Sequence, residues 1–336
     1  MTSQRHDHRN ATARARPSSL REGSTGTGRG HGKAILLGEH SIVYEGPAIA
    51  LPLLEMNATA SIRAAPEARI ASDLYEGAVD GAPARFAPIV EAVRAARAVL
   101  APGAGPFELT LHSDIPYERG LGSSAATAAA IVTAVADAVG AAPDEDTRHE
   151  LIQRAERVAH GAPSGLDARA VVAPTPIRFD RGRAEPAGVA SPLTFVVADT
   201  GVRGSTREAV ASVRARREAD RAGIDAVIRR LATLADEAAA DLVDGRADAL
   251  GDRMNEAHAL LVRIDVSSHE LDALVVAATA AGALGAKLTG GGRGGCVLAL
   301  APSREDAPPL ASALVAAGAA RVWTTTVGAS SNQEAE

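Results

Sequence analysis

The sequence is poor in lysine, cysteine, aromatic residues and long apolar segments, and these shortages narrow what the protein can be. Its single cysteine, Cys296, excludes a disulfide within the chain and favours a reducing compartment. No apolar run reaches the ~20 residues that a membrane span needs, and the N-terminus lacks the apolar segment of a signal peptide. The formal net charge of −6 and the absence of a basic stripe argue against nucleic-acid binding. We therefore expect a soluble, cytoplasmic protein without nucleic-acid or membrane partners.

The scarcity of lysine and of aromatic residues also says something about packing and chemistry. Aromatics make up 2% of the 336 residues against 46% apolar residues, so alanine, valine and leucine must fill the cores. Of the 35 basic residues only Lys33 and Lys287 are lysines, and both lie beside glycine-rich turns. Two lysines among so many arginines hint at positions where a compact ammonium is needed and a flat guanidinium does not fit.

Composition along the chain predicts two domains with short tails. Residues 1–26 are rich in Ser, Thr, Gly and Arg and predict a disordered tail, which includes His6 and His8. The polar, Gly/Pro-rich stretch at 178–192 is typical of a linker. We place the domains at 27–185 and 186–330, with residues 331–336 as a C-terminal tail.

Hydrophobic periodicity predicts an α+β fold. Predicted strands lie at 33–38, 48–53, 57–65, 107–114, 194–200 and 321–327. Predicted helices lie at 86–100, 123–139, 144–161 and 305–318, with three helical segments between 200 and about 282.

The first motif with chemical content is RGLGSSAATAAA at 119–130, a glycine turn that leads directly into a helix. Such a turn lets backbone N–H groups approach an anion at the positive end of the helix dipole. A tight turn followed by a serine-capped helix explains the same residues without any ligand. The spacing is neither that of a P-loop nor that of a dinucleotide fold, so both interpretations stay open.

Two further turns and two carboxylates complete the polar signals. Glu39 and His40 end the predicted strand that Lys33 begins, where α/β proteins place ligand contacts and where a solvated turn is the plainer explanation. LTGGGRGGC at 288–296 is too glycine-rich for a helix or a regular strand.

Glu156 on a predicted helix is a surface charge or a functional carboxylate. Asp167 follows the rigid turn HGAPSG and caps the next segment or acts as a base. Zinc-ligand spacing and a nucleophile elbow are both absent.

Together these motifs resemble those of the GHMP kinase family. The resemblance rests on KAILLGEHSIVY, PYERGLGSSAATAAA, AERVAHGAPSGLDARAVV, DTGVRGSTREAV, LGDRMNEAHALL and GAKLTGGGRGGC, and covers about residues 28–328. Within the family, GEH after the lysine strand and the HGAPSGLD run are most similar to the mevalonate kinases. The resemblance implies an N-terminal domain like domain 2 of ribosomal protein S5, a ferredoxin-like C-terminal domain and an active site between them. It also implies ATP-dependent phosphorylation of (R)-mevalonate to 5-phosphomevalonate, with Mg²⁺ as cofactor.

The resemblance assigns roles to individual residues. Asp167 would accept or orient the proton of the substrate hydroxyl, and Lys33 would stabilise negative charge. Ser124 and Glu156 would hold Mg²⁺. The substrate-binding residues would be Glu39, His40, Thr206 and Gly291. The ATP phosphates would lie against Gly120, Leu121, Gly122, Ser123, Ser124 and Ala125.

Two segments depart from the family pattern. The substrate-side loop reads Ser-Thr-Arg at 205–207, where lysine is commoner, a change that the arginine-rich composition explains. Arg293 stands where the third motif usually has glycine, so either its backbone angles are ordinary or its guanidinium contacts phosphate or substrate. A left-handed backbone there would cost about 1 kcal/mol.

Related activities (phosphomevalonate kinase, mevalonate 3-kinase or sugar kinase) and an inactive ligand sensor on the same fold stay open. A phosphorylated substrate would need extra cations, for which the motifs offer Lys33, Arg119, Arg203, Arg207 and Arg293. The sequence does not determine the oligomeric state, and a homodimer stays open.

Overall fold

The computed structural model describes residues 24–328. His6, His8, most of the predicted N-terminal tail and the predicted tail at 331–336 lie outside the described residues. The first strand begins at Thr25, two residues inside the predicted tail and eight residues before the predicted strand at Lys33.

A large sheet forms the first half of the described chain. Its strands are β1 (Thr25–Leu37), β2 (Ala48–Ala64), β3 (Arg69–Ser72), β4 (Tyr75–Ala78), β5 (Phe107–Ser113), β6 (Ile177–Asp180) and β7 (Arg183–Pro186). The order is β4-β3-β5-β2-β6-β7, with β1 paired along the other edge of β2. Only the β3–β5 pair is parallel among these strands. The helices of this half are α1 (Ala87–Leu100), α2 (Ser123–Ala138), α3 (Glu145–His160) and α4 (Leu166–Ala170).

Strand β1 is longer than predicted because its alternating glycines pack directly on helix α2. A Cβ atom on Gly26 or Gly28 would lie 2.1 Å from a carbonyl oxygen of α2, and one on Gly30 would lie 2.3 Å from another. The helix meets these glycines with a stripe of small residues, so the two backbones approach closely. Gly26, which the composition placed in a disordered tail, is therefore part of the surface on which α2 rests, together with Gly28 and Gly30.

The predicted linker at 178–192 is wrong over most of its length. Residues 177–186 form the antiparallel hairpin of β6 and β7, and β6 extends the large sheet by pairing with the start of β2. Ile177 and Phe179 point into the core while their neighbours are partly exposed, so the alternation of a strand is present but short. Only residues 187–192 connect the two sheets.

The second half of the chain folds around a smaller antiparallel sheet. Its strands are β8 (Leu193–Asp199), β9 (Gly285–Thr289), β10 (Cys296–Leu300) and β11 (Arg321–Val327), in the order β11-β8-β10-β9. Its helices are α5 (Thr206–Ala219), α6 (Arg221–Asp244), α7 (Ala247–Arg263), α8 (His269–Ala280) and α9 (Ala307–Ala316). Four helices, rather than the predicted three, precede β9. Only Asp220 separates α5 from α6, and its side chain caps α6 by accepting a hydrogen bond from the Gly223 N–H.

The two sheets meet where β1 lies beside β9. The Thr289 hydroxyl accepts a hydrogen bond from the Ile35 N–H at 2.8 Å and donates one to the Ile35 carbonyl at 3.1 Å. A buried hydroxyl that satisfies both groups of one residue fixes the relative position of the two strands. No helix within residues 24–328 has both the length and the apolar character to cross a membrane.

Candidate active site

Two adjoining cavities lie where the glycine turns come together. The larger has a volume of about 720 Å³ and the smaller about 470 Å³, both within the usual size of small-molecule sites. Residues that line both cavities mark the place where a group could pass from one bound molecule to another. They are Gly120, Glu156, His160, Asp167, Thr206, Arg207 and Gly291.

The start of helix α2 forms one wall of the larger cavity. Gly120 and Gly122 have left-handed backbone angles, with φ of 78° and 75°, and bring the chain into the helix at Ser123. The first amide groups of a helix have no acceptor within it and carry the positive end of its dipole. Ser124 and the other predicted phosphate-loop residues line this cavity except Leu121, whose side chain is buried in the core and whose carbonyl accepts from the Lys33 N–H. This wall can bind an anion through backbone donors.

The glycine turn at 119–122, before α2, touches the glycine turn at 290–295, between β9 and β10, which we call the third glycine turn. A Cβ on Gly290 would lie 2.7 Å from Gly120 Cα, and one on Gly120 would lie 2.9 Å from the Thr289 carbonyl oxygen. Both positions have positive φ, so glycine is required by backbone geometry and by space. The contact closes the larger cavity from the side of the small sheet.

Lys33 and Asp167 form an ion pair where the two cavities join. Lys33 Nζ lies 3.1 Å from Asp167 Oδ1 and donates to the Gly120 carbonyl oxygen at 3.0 Å. Lys33 is almost completely buried, whereas the Asp167 carboxylate remains about a third exposed toward the cleft. The ammonium holds this carboxylate in place beside the cleft. Asp167 can therefore accept a proton or a hydrogen bond from a molecule in the cleft.

Glu156 is a buried carboxylate that lacks a full set of partners. Burial, and then the neighbouring Asp167 charge, raises its pKa from 4.5 to about 7, while Ser124 and Lys33 act in the opposite direction. Its Oε1 has no hydrogen-bond partner among the described residues. His160, whose pKa is lowered by burial, lies beside it with Nε2 3.7 Å from Oε2.

These residues fit a magnesium ion. Mg²⁺ takes one or two carboxylates together with hydroxyl, water and phosphate oxygens. The unpartnered Glu156 oxygen, the Ser124 hydroxyl and the nearby Asp167 carboxylate provide such a set of hard oxygen donors. Residues 24–328 contain no group of three or more His, Cys, Asp or Glu residues arranged to hold a metal by themselves, so the remaining ligands would come from phosphate and water.

The four predicted substrate-binding residues converge on the smaller cavity, although they come from three distant segments. His40 donates from Nε2 to the Gly291 carbonyl oxygen at 2.9 Å, and burial lowers its pKa, which favours the neutral ring. A Cβ on Gly291 would lie 2.7 Å from Thr206 Cα, so helix α5 begins directly against the third glycine turn. Glu39 is buried, and its Oε2 has no partner among the described residues.

The motifs gave no role to several residues that line the smaller cavity or lie behind it. Lys287, flagged only as one of two lysines, is completely buried and bonded to Glu39. His160 lies in the motif AERVAHGAPSGLDARAVV, to which the resemblance assigns only Glu156 and Asp167. Nothing in the sequence pattern indicated that Gln153 and Arg214 line the cavity. Gln153 and His160 lie on the same face of α3 as Glu156, so helical spacing places these two residues once Glu156 is known to lie in the cleft.

Both explanations offered for Arg293 are wrong. Its φ is 59°, in the left-handed region, and its guanidinium bonds to Ser212 at 2.7 Å and to Asp265 at 3.1 Å rather than facing either cavity. Arg119 is likewise engaged, with Nε 2.9 Å from Asp199 and a hydrogen bond to the Gly201 carbonyl oxygen. Two of the five cations counted for a phosphorylated substrate are therefore held outside the cleft.

Residues 88–173 match the GHMP kinases N terminal domain, and residues 238–320 match the GHMP kinases C terminal region.

Several relatives that match over most of the chain are mevalonate kinases. The mevalonate kinase of Thermococcus gammatolerans is 34% identical over 308 residues, which covers 85% of this chain and 91% of that protein. That of Aeropyrum pernix is 33% identical over 281 residues, covering 80% and 86%. The crystal structure of L. major mevalonate kinase in complex with R-mevalonate superposes with a TM-score of 0.79 at 25% identity, covering 93% of this chain and 98% of that one.

These comparisons confirm the fold class that the motifs predicted, a mixed α+β fold with two sheets. They also agree with the geometry, in which a helix N-terminus, the Lys33–Asp167 pair and two glycine turns surround one cleft. The chain belongs to the GHMP kinase family of ATP-dependent kinases.

Proposed function

We propose that this protein is a mevalonate kinase, which transfers the γ-phosphoryl group of ATP to the 5-hydroxyl of (R)-mevalonate. The observation that carries the proposal is the position of the Lys33–Asp167 pair, between an anion-binding helix start on one side and Glu39 and His40 on the other. The similarity to mevalonate kinases over most of the chain supports the choice of acceptor.

The larger cavity would take the nucleotide. The N-terminal amides of α2 and the glycine turn before it suit the phosphates, since positive φ at Gly120 and Gly122 leads the chain into the helix and leaves its first N–H groups at the cavity. Tyr117 and the apolar residues Pro88 and Ile89 line the same cavity and would lie against the base.

Ser124 and Glu156 would hold the magnesium ion that accompanies ATP. The bound ion would neutralise charge on the phosphate oxygens during transfer. Ion binding would also give the unpartnered Glu156 oxygen a ligand, which explains why a carboxylate is buried there without a full set of donors.

The chemistry asked of the protein is positioning and charge stabilisation. The 5-hydroxyl oxygen forms a bond to the γ-phosphorus while the bond to the β–γ bridging oxygen breaks, and ADP leaves with that electron pair. Asp167 accepts or orients the hydroxyl proton, and Lys33 holds this carboxylate in place and stabilises the developing negative charge. Because Lys33 is also tied to the Gly120 carbonyl, the base and the phosphate loop are held in one geometry.

The lining of the smaller cavity suits a small acid with hydroxyl groups. Ile35, Ile42 and Val210 provide an apolar wall for a methyl-bearing carbon chain. Glu39, His40, Thr206 and Gly291 would bind hydroxyl groups and the carboxylate end. Arg207 and Arg214 provide positive charge for the carboxylate, and Arg214 has no ion-pair partner among residues 24–328.

A panel of acceptors tests the proposal. The purified protein is incubated with Mg²⁺-ATP and, separately, mevalonate, 5-phosphomevalonate, homoserine and galactose, and both ADP release and the phosphorylated position are measured. Turnover confined to mevalonate, with phosphate on the 5-oxygen, is the expected result. Turnover of 5-phosphomevalonate or a sugar, or phosphate on the 3-oxygen, would replace mevalonate 5-phosphorylation by one of the related kinase activities. Tight ATP binding without turnover of any acceptor would favour the inactive sensor.

Two expectations about the protein's surroundings remain predictions. A cytoplasmic location rests on the single cysteine, and a homodimer stays open beside a monomer. Subcellular fractionation and light scattering of the purified protein would test them.

A further inference from the structure

Lys287 is a completely buried cation that the proposed reaction does not use. It lies on β9, its side chain is 0% exposed, and its ammonium donates to the Glu39 carboxylate and, at 2.6 Å, to the Leu288 carbonyl oxygen. A buried ammonium without a carboxylate partner would be strongly disfavoured, so this pair exists as a unit.

The two oxygens of the Glu39 carboxylate differ in their hydrogen bonding. Oε1 receives the hydrogen bond from Lys287, whereas Oε2 is buried and has no partner among the described residues. Leaving a buried charged acceptor unpaired is costly, and Glu39 lines the smaller cavity. A hydroxyl of a molecule bound in that cavity would supply the hydrogen bond that this oxygen lacks.

The pair also joins the two sheets directly beneath the cleft. Glu39 follows β1 of the large sheet and Lys287 is part of β9 of the small sheet, where Thr289 fixes β9 against Ile35. The strand backbone thus determines where the ammonium lies, and the ammonium determines the position of the carboxylate.

The two lysines of the chain are used in the same way. Lys33 bonds to Asp167 and to the Gly120 carbonyl oxygen, and Lys287 bonds to Glu39 and to the Leu288 carbonyl oxygen. In each case a buried ammonium holds a carboxylate that faces the smaller cavity. A planar guanidinium needs more space and more acceptors than these sites offer, which accounts for lysine in a chain that otherwise uses arginine.

We propose that Lys287 is a positioning residue for the phosphoryl acceptor: it anchors Glu39 Oε1 so that Oε2 accepts a hydrogen bond from an acceptor hydroxyl. The inference rests on the proposed function only in that the acceptor occupies the smaller cavity. It assigns Lys287 an effect on acceptor binding that passes entirely through Glu39.

A double-mutant cycle tests this route. The variants are Lys287→Met, Glu39→Gln and the double substitution, each assayed with the acceptor that the wild-type protein phosphorylates. We expect Lys287→Met alone to raise the acceptor KM by about 10- to 100-fold, because the Glu39 carboxylate loses the ammonium that fixes its position. The KM for ATP should change less than about threefold. In the Glu39→Gln background the same substitution should change the acceptor kcat/KM by less than about threefold.

Asn255→Ala is the matched control for damage to β9. The Asn255 side chain accepts from the Ala286 N–H and donates to the Leu284 carbonyl oxygen, so its loss loosens the start of β9 without touching Glu39. This variant should unfold at lower temperature and keep the wild-type KM for the acceptor.

The outcomes separate a positioning role from a purely structural one. The proposal would be overturned if Lys287→Met lowered the acceptor kcat/KM equally in the wild-type and Glu39→Gln proteins. It would also be overturned if Lys287→Met raised the KM for ATP as much as the KM for the acceptor. If Lys287→Met does not fold, the double variant removes both charges, and its acceptor dissociation constant is compared with that of Glu39→Gln by calorimetry. Agreement within about threefold supports the proposal, and a larger difference overturns it. Wild-type inactivity on mevalonate would instead bear on the proposed function, because the cycle uses whichever acceptor is turned over.

Discussion

Replacing Glu156 by glutamine should stabilise the nucleotide-free protein at neutral and alkaline pH while it impairs magnesium-dependent catalysis. The carboxylate is buried, its Oε1 has no partner among the described residues, and its pKa is raised from 4.5 to about 7 by burial and by Asp167. Ionising it inside the folded protein is therefore harder than ionising it in the unfolded chain. Glutamine keeps the shape and has no charge to desolvate.

The size of the effect follows from the pKa shift. A shift from 4.5 to about 7 corresponds to an upper limit of about 3 kcal/mol, at ~1.4 kcal/mol for each pKa unit. Because the folded-state pKa is the higher one, the folded state binds the proton more tightly. The contribution of Glu156 to stability is full below 4.5 and is lost as pH rises through about 7. The advantage of the glutamine variant should therefore be small near pH 4.5 and reach its maximum about one pH unit above 7.

Urea unfolding at a series of pH values, with a chelator and without nucleotide, measures this difference. The matched control is Glu208→Gln, an exposed carboxylate beside the same cavity, for which we expect a change below about 0.5 kcal/mol at every pH. The reasoning would be refuted if the difference in unfolding free energy between Glu156→Gln and the wild type did not change with pH. It would also be refuted if the wild type became the more stable protein as pH rises.

Three further predictions concern the cleft and the third glycine turn. Asp167→Asn should lower kcat by about 10²- to 10⁴-fold with ATP binding retained, and steady-state kinetics showing near-normal kcat would contradict its role as base. Gly122→Ala should cost about 1 kcal/mol in unfolding free energy and also reduce kcat/KM for ATP, because φ is positive and the new methyl would lie 3.0 Å from Lys33 Cγ. Gly140→Ala, with positive φ but open space around it, should show only the stability loss, and equal kinetic effects in both variants would count against the contact. Arg293→Gly should unfold with a free energy about 1 kcal/mol higher than Arg293→Ala, since only alanine keeps the left-handed strain, and both should retain wild-type kcat.

Local patterns predicted the parts of the site that are encoded by neighbouring residues. The turn at 119–122 had to precede a helix, because the glycines end one conformation and the alanines favour the next. The polar end of the strand at Glu39 and His40, and the rigid turn before Asp167, were visible for the same reason. The rarity of lysine marked Lys33 and Lys287 without revealing their partners.

Errors arose where one local pattern has two structural outcomes. Alternating glycines at 26, 28 and 30 are typical of a flexible segment, yet here they allow β1 to pack against α2. A polar stretch around 180 resembled a linker, but the free edge of β2 completes its hydrogen bonds by pairing with β6. Arg293 could not be interpreted, because its partners Ser212 and Asp265 lie on other elements.

The sequence by itself determined the motifs, the family they resemble and most of the helices and strands, since these depend on residues a few positions apart. The tertiary structure alone decided which charges meet: Lys33 with Asp167, Lys287 with Glu39, and Glu156 buried without a full set of partners. These pairings join segments that are more than a hundred residues apart, and their strength comes from burial, which no local pattern records. The sequence supplies the charged side chains, and the packing of the two sheets decides which of them are buried and which form ion pairs.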